Sequence, residues 1–343
     1  MDIRNIDNMR VFQGPIEISG QVGNYAKAIR ETEHEATAAV FEPHKFGYEY
    51  DELIYPNGFP GKWRSRIRRV RYALETIAKY DVLNYWAGHT LLGGVDLRAA
   101  SSLGTPTVMT FCGSEIRPVR EAAKRSEFLD PDEWPREPRD DEYLASLNET
   151  LDLAVYQYHE LEPYVSRHFD TVAHVPRAVD CEKITPQQSK DDGVFRVAHA
   201  PSNRKLKGTK YLTAAVEALK NGGYDIQLLE AKGEHAEVIE TLQRADVVVD
   251  QLRLGTIGVV SLEAMATETP VICYIRDDLR EKYPEALPVV NGTPDNIEGV
   301  LKDLYEDPER RTDLGNRGRE YVTSHHSLPK IGRRLLKVYE SVL

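Results

Sequence analysis

Cysteine is scarce: three residues in 343, at positions 112, 181 and 273, too few and too scattered for a disulfide framework. Small buried thiols in a reducing compartment fit that pattern better. C-x-x-C, H-E-x-x-H and histidine-rich clusters are all missing, so no metal is expected. No run of 18 apolar residues occurs, and the start, M-D-I-R-N-I-D-N-M-R, has no apolar h-region. The expectation is a cytoplasmic protein without a standard secretion signal, so the sequon Asn148-Glu149-Thr150 carries no meaning. Positive charge is in the minority, 44 Lys and Arg against 55 Asp and Glu, and a net charge of -11 argues against nucleic acid as a partner. No G-x-G-x-x-G follows the first strand, which sets aside a plain dinucleotide dehydrogenase.

What is present is enough apolar residue, 41%, for globular packing, in a chain too long for one ordinary core. Short β-rich runs alternate with helical patterns. Strands are expected at Ala36–Phe41, Asp81–Trp86, Thr107–Phe111, Leu153–Tyr156 and Thr171–Val175, then at Phe195–Ala200, Asp225–Leu229, Asp246–Asp250 and Val271–Tyr274. Helical spacing marks the segments between them, among them Arg64–Ala78, Gly208–Lys220, His235–Arg244 and Gly258–Thr267. Phe128 to Asp141, crowded with proline and charge, reads as a surface excursion. The alternation predicts parallel sheets covered on both faces, a doubly wound α/β class. The expected division is an N-terminal domain over 1–180, a polar linker over 181–193, a second domain over 194–327 and a final helix over 328–343.

Two segments carry chemistry. A-D-V-V-V-D-Q, then L-R-L-G-T-I-G, then V-V-S-L-E-A-M-A reads as strand, glycine loop and helix. Glycines let a ligand approach the backbone, and the helix start at Gly258 offers N–H groups and a positive dipole end, which suits an anion such as phosphate. Glu263, five residues further on, can accept hydrogen bonds from a diol such as ribose. An exposed helix residue after an ordinary turn fits the same pattern equally well. H-A-P-S-N-R-K-L-K-G-T, residues 199–209, places Arg204, Lys205 and Lys207 before a helix. Cations at a helix start are unfavourable unless an anion sits among them, and a diphosphate would serve.

Together these segments resemble the GT-B glycosyltransferases of family 4. H-A-P-S-N-R-K-L-K-G is similar to that family's first C-terminal loop. G-T-I-G-V-V-S-L-E-A-M-A-T-E-T-P-V-I is similar to its donor-site signature. In the first half S-G-Q-V-G-N-Y-A-K-A-I-R resembles the glycine-rich opening loop, and Y-D-V-L-N-Y-W-A-G-H and F-C-G-S-E-I-R resemble further cleft segments. The resemblance implies two Rossmann-like domains facing a central cleft, the last helix packing back on the first domain. It also implies transfer of a sugar from a nucleotide-diphosphate sugar, with retention and without a metal or other cofactor, to a glycan, lipid-linked or small-molecule acceptor. Arg204 and Lys207 would stabilise the leaving group, with the helix start at Gly258. Glu263 would hold the ribose, and Gly258, Val259, Thr256, Ser202, Gly20 and Gly23 would line the nucleotide and diphosphate.

The chain departs from that family in two places. Eight residues before Glu263, where a glutamate commonly contacts the donor sugar, stands Gly255. Cys112 stands where many members carry a histidine. His89, Glu115 and Arg117 are the replacements nearest in sequence, the last two on the acceptor side. A non-catalytic nucleotide-sugar-binding protein and a nucleotide-sugar epimerase on the same fold are the alternatives. Lys62–Arg71, part of the basic run G-K-W-R-S-R-I-R-R-V-R-Y, could touch anionic lipid at the inner face of a membrane, form a solvated face or wall the acceptor site.

Overall fold

A computed structural model describes residues 8–55, 62–134, 138–187, 192–284 and 287–343. The chain divides into two units. One comprises Met1–Pro118, Glu137–Ala178 and Leu328–Leu343; the other comprises Val119–Arg136 and Val179–Ser327.

In chain order the first half forms β1 (Arg10–Gly14), α1 (Gln21–Arg30), β2 (Glu35–Val40), β3 (Glu52–Leu53) and α2 (Lys62–Lys79). β4 (Val82–Trp86), α3 (Val95–Leu103), β5 (Thr107–Phe111), α4 (Val119–Ala123) and α5 (Asp141–Asn148) follow. β6 (Leu153–Tyr156), α6 (Glu162–His168) and β7 (Val172–His174) complete it. The seven strands make one parallel sheet in the order β3-β2-β1-β4-β5-β6-β7. β4, β5 and β6 are buried along their whole length, as expected of parallel strands covered on both faces.

β1 escaped the sequence reading because Arg10 and Gln13 interrupt its apolar pattern. The structure supplies a partner for each. Arg10 Nη2 reaches Asp81 Oδ1 at 3.1 Å. Buried Gln13 accepts from Asn84 Nδ2 (2.8 Å) and Trp86 Nε1 (3.0 Å) and donates to the Tyr339 hydroxyl (2.9 Å). Tyr339 belongs to the last helix, α14 (Leu328–Glu340), which crosses α1 closely: a Cβ on Gly332 would sit 2.0 Å from the Ala28 carbonyl oxygen.

The second unit repeats the scheme with β8 (Phe195–His199), α7 (Arg204–Lys207), α8 (Thr209–Asn221), β9 (Ile226–Glu230) and α9 (His235–Gln243). It continues through β10 (Val247–Val249), α10 (Val259–Ala266), β11 (Val271–Ile272), α11 (Asp277–Arg280), β12 (Val289–Val290), α12 (Ile297–Glu306) and α13 (Pro308–His326). Its parallel sheet has the order β12-β11-β10-β8-β9. α10 is buried from Val260 to Ala266, with Ser261 and Glu263 its only polar residues, the mark of a helix inside a core. α13 lies tightly on it, with Gly318 against Met265.

The stretch read as a surface excursion is anchored instead. Leu129 and Trp134 are buried with Leu254, and Arg253 donates to the Phe128 carbonyl at 2.6 Å. Prolines and charges there mark an irregular backbone, while two large apolar side chains fix it to the second unit.

Candidate functional site

In the second unit, chemistry-bearing residues gather where β8, β9 and β10 end and α7, α9 and α10 begin. β8 ends at His199, which is fully buried between the Val249 carbonyl (2.7 Å) and the Thr209 hydroxyl (2.8 Å). Ser202 follows in the loop and is exposed. Asn203 then caps α7, accepting from the N–H groups of Lys205 and Leu206 at 3.1 Å each. The turn points its cations apart. Arg204 is exposed and pairs with Glu230, whose carboxyl it holds below the usual range. Lys207 turns inward to Asp250.

Asp250 is the centre of this arrangement. It is buried, and besides Lys207 it accepts from Gly258 N–H at 2.9 Å and Ser261 Oγ at 2.6 Å. Burial alone would raise its pKa, but the Lys207 charge and these hydrogen bonds hold it below the ordinary value. The helix start at Gly258 thus already carries an anion belonging to the chain. The next two amides, of Val259 and Val260, meet no acceptor among the described residues. Thr256, in the same loop, is buried with its hydroxyl 3.1 Å from that of Tyr283.

Glu263 lies one turn into α10 and is buried to 6% exposure, its Oε1 2.6 Å from Nε2 of His235 at the start of α9. Gly255 adopts φ +86°, and a Cβ there would meet Arg276 Cγ at 2.2 Å. Arg276 fills that space, donating to both oxygens of Asp278 at 2.9 Å and, through its N–H, to the Gly255 carbonyl at 3.0 Å. A carboxylate cannot be restored at position 255 without displacing the Arg276 stem.

In the first unit, Gly20 (φ +77°) and Gly23 open α1, with Tyr48 packed against the first and the Glu49 carbonyl against the second. Glu17 reaches Gly23 N–H at 3.4 Å. Cys112 is buried; burial pushes its thiol well up, with Glu115 adding to the effect. Glu115 accepts from the N–H groups of Cys112 and Gly113 and so shapes that turn. Arg117 is buried against Glu160, Nη2 to Oε1 at 2.8 Å. His89 accepts a hydrogen bond from Arg139, and burial followed by that positive charge lowers its pKa to about 4. It is neutral at pH 7.

Residues 223–321 match the family described as Glycosyl transferases group 1. The chain has the GT-B fold, and its segment 223–321 is similar to the group 1 glycosyl transferases. Over 259 residues, 61% of this chain and 67% of the relative, it is 24% identical to a GDP-mannose-dependent monoacylated alpha-(1-6)-phosphatidylinositol monomannoside mannosyltransferase of Corynebacterium glutamicum. Similar solved structures include sucrose-phosphate synthase from Thermosynechococcus elongatus, with TM-score 0.66 and 14% identity over 98% of this chain and 99% of that one. Anabaena HepE in complex with UDP-glucose has TM-score 0.64 and 12% identity over 97% and 100%.

Asp250, His235, Glu230 and Arg276 were not singled out from sequence. The signal for Asp250 lay in V-V-V-D-Q, a carboxylate ending an apolar strand just ahead of the glycine loop. His235 and Arg276 gave none, since their partners, Glu263 and Gly255, are brought to them only by the fold.

Proposed function

We propose that the chain transfers a sugar from a nucleotide-diphosphate sugar to a hydroxyl-bearing acceptor, with retention and without a metal ion. The observation that carries this reading is the group 1 match itself, because it spans the segment holding Asp250, α10, Glu263 and His235. The UDP-glucose bound by the HepE structure and the GDP-mannose named for the Corynebacterium relative both belong to the donor class invoked.

The chemistry follows from charge. A departing nucleoside diphosphate needs preorganised donors where its charge develops. The Val259 and Val260 N–H groups lie at the positive end of α10. Lys207 donates one of its three N–H groups to Asp250 and keeps two for the diphosphate. Arg204, exposed on Glu230, exchanges partners cheaply, since such surface pairs are worth at most about 1 kcal/mol. Ser202 and Thr256 flank the same anion. Glu263 takes the ribose hydroxyls on the carboxylate that His235 orients. Gly20 and Gly23 keep the opening loop of the first unit close to its ligand. There neutral His89 offers a hydrogen bond to substrate, while Glu115 and Arg117 shape the acceptor side around Cys112.

The acceptor we favour is amphiphilic. Ile67, Val70 and Leu74 lie on one face of α2 at 59%, 45% and 51% exposure, among Arg66, Arg68 and Arg71. That combination suits peripheral contact with anionic lipid. The side chains of 62–65 fall outside the described residues, and among those described no helix is long and apolar enough to cross a membrane.

The test is a panel of nucleotide sugars, screened first for thermal stabilisation and then for products. Transfer or donor hydrolysis supports the reading. Stabilisation without turnover would make the chain a binding protein, and donor interconversion without acceptor would make it an epimerase. Unchanged nucleotide affinity in Glu263→Ala and Lys207→Ala would refute the site.

A further inference from the structure

Lys207 sits on a single helical turn, α7, and one turn has little stability of its own. What holds it is a piece of the chain's first half. Val119–Arg136 belongs to the second unit, although the segments before and after it belong to the first. Its Leu129 and Trp134 are buried with Leu254 of the glycine loop, and Leu206 of α7 packs against this cluster. The polar centre of the packing is Arg253, only 4% exposed. Its Nε donates to the Phe128 carbonyl at 2.6 Å, and its Nη1 donates to Glu133 and, at 2.9 Å, to the carbonyl of Lys205 in α7. Ser126 Oγ donates to the Arg253 carbonyl at 2.5 Å, and Leu252 N–H to the Lys207 carbonyl at 3.2 Å. Loop and turn also meet directly, since a Cβ on Gly208 would lie 3.1 Å from Leu252 Cβ.

We infer that residues 119–134 brace the cation-bearing turn, with Arg253 and Glu133 as positioning residues that hold Lys207 and Arg204 ready for a diphosphate. A cation is favourable at the carbonyl end of a turn, and the planar fork of Arg253 reaches brace and turn at once. The brace is needed because the cations here repel one another. Arg204, Lys207, Lys210, Lys232 and Arg253 share three carboxylates, those of Glu230, Asp250 and Glu133. An unbraced turn would swing its surplus positive charge out into water. A braced one keeps that charge in place, so an arriving anion meets it without the cost of ordering the turn. The hydrogen bond from Arg253 holds the Glu133 carboxyl below its usual range, which keeps the brace ionised near neutrality. Both residues act through α7 rather than on the anion itself.

The inference rests on the proposed donor site only in calling the anion part of a nucleotide sugar, so its first probe is pyrophosphate. Calorimetry measures pyrophosphate, UDP-glucose and GDP-mannose, and saturation-transfer NMR measures uridine and guanosine, on the full chain, Glu133→Gln and Arg253→Gln. Glu133 is partly exposed, so its variant should fold and decides the matter if Arg253→Gln does not; circular dichroism checks both. We expect pyrophosphate to bind wild type, about threefold more weakly to Glu133→Gln and about tenfold more weakly to Arg253→Gln. The nucleotide sugar should weaken in step, while its nucleoside, which does not reach α7, binds all three proteins alike. Pyrophosphate bound equally by wild type and both variants, or not at all, would overturn the brace. So would parallel losses of nucleoside and pyrophosphate, because a general loosening of the second unit produces them. If pyrophosphate responds as expected but no nucleotide sugar binds, the donor reading fails and the brace stands. If a nucleotide sugar binds all three proteins alike, the donor reading stands and the brace falls.

Discussion

Replacing Asp250 by asparagine should break the arrangement that holds the start of α10. Asn keeps the size of Asp and one acceptor oxygen, but removes the charge facing Lys207, whose side chain is only 11% exposed. Stranding one partner of a buried ion pair typically costs about 3–5 kcal/mol. Weaker acceptance from Gly258 N–H and Ser261 Oγ adds up to about 1 kcal/mol, the usual worth of a helix cap. With a urea slope of about 2 kcal/mol per M, the second unit's unfolding midpoint should fall by roughly 1.5–3 M. Lys207→Met in the same background should recover a large part of the loss, because the two changes share one interaction. Hydrogen exchange at the amides of α10 localises the effect. Asp250 also sets an acid limit. Its folded pKa lies below the unfolded value, so its contribution is full above about pH 4 and is lost as pH falls through the lowered value. The reasoning is refuted if Asp250→Asn unfolds within about 1 kcal/mol of wild type, or if the double variant shows simple additivity.

Other outcomes follow from the same structure. Gly255→Glu should not rescue sugar recognition; at φ +86°, with Arg276 Cγ where a Cβ would go, it should lower stability by about 1–3 kcal/mol, which differential scanning calorimetry will show. His235→Ala should weaken nucleotide binding several-fold by freeing Glu263 from its 2.6 Å partner, whereas an unchanged Kd would remove the orienting role. Glu17, raised to about 7 by burial, stabilises the fold fully below its unfolded pKa; that contribution, about 3 kcal/mol, is lost as pH climbs to 7. Glu17→Gln should therefore flatten the first unit's stability between pH 5 and 7. Flotation with anionic liposomes should carry the protein at low salt and fail after Ile67, Val70 and Leu74 are changed to serine; equal flotation of both would dismiss α2 as the contact.

The fold was legible because parallel strands buried on both faces are continuous apolar runs, and V-L-N-Y-W, T-V-M-T-F and L-A-V-Y announce themselves. β1 was not, since Arg10 and Gln13 break its run and their partners Asp81, Asn84, Trp86 and Tyr339 are distant in sequence. In the second unit the glycine loop and α10 were legible as a place for an anion. What stayed hidden was that Asp250 already supplies one, because reach across 8 to 43 residues depends on the sheet. Gly255 could be seen to lack a side chain. That Arg276 occupies the space could not, for its aliphatic stem arrives from the loop beyond β11.

The most direct test of the central claim is calorimetric titration of UDP-glucose and GDP-mannose into the wild-type chain and Glu263→Gln. The account predicts that one of the two binds wild type and that the substitution weakens it at least tenfold, about 1.4 kcal/mol. Binding of equal strength to both proteins would contradict the assignment of Glu263, and binding of neither sugar nucleotide to wild type would contradict the donor class proposed.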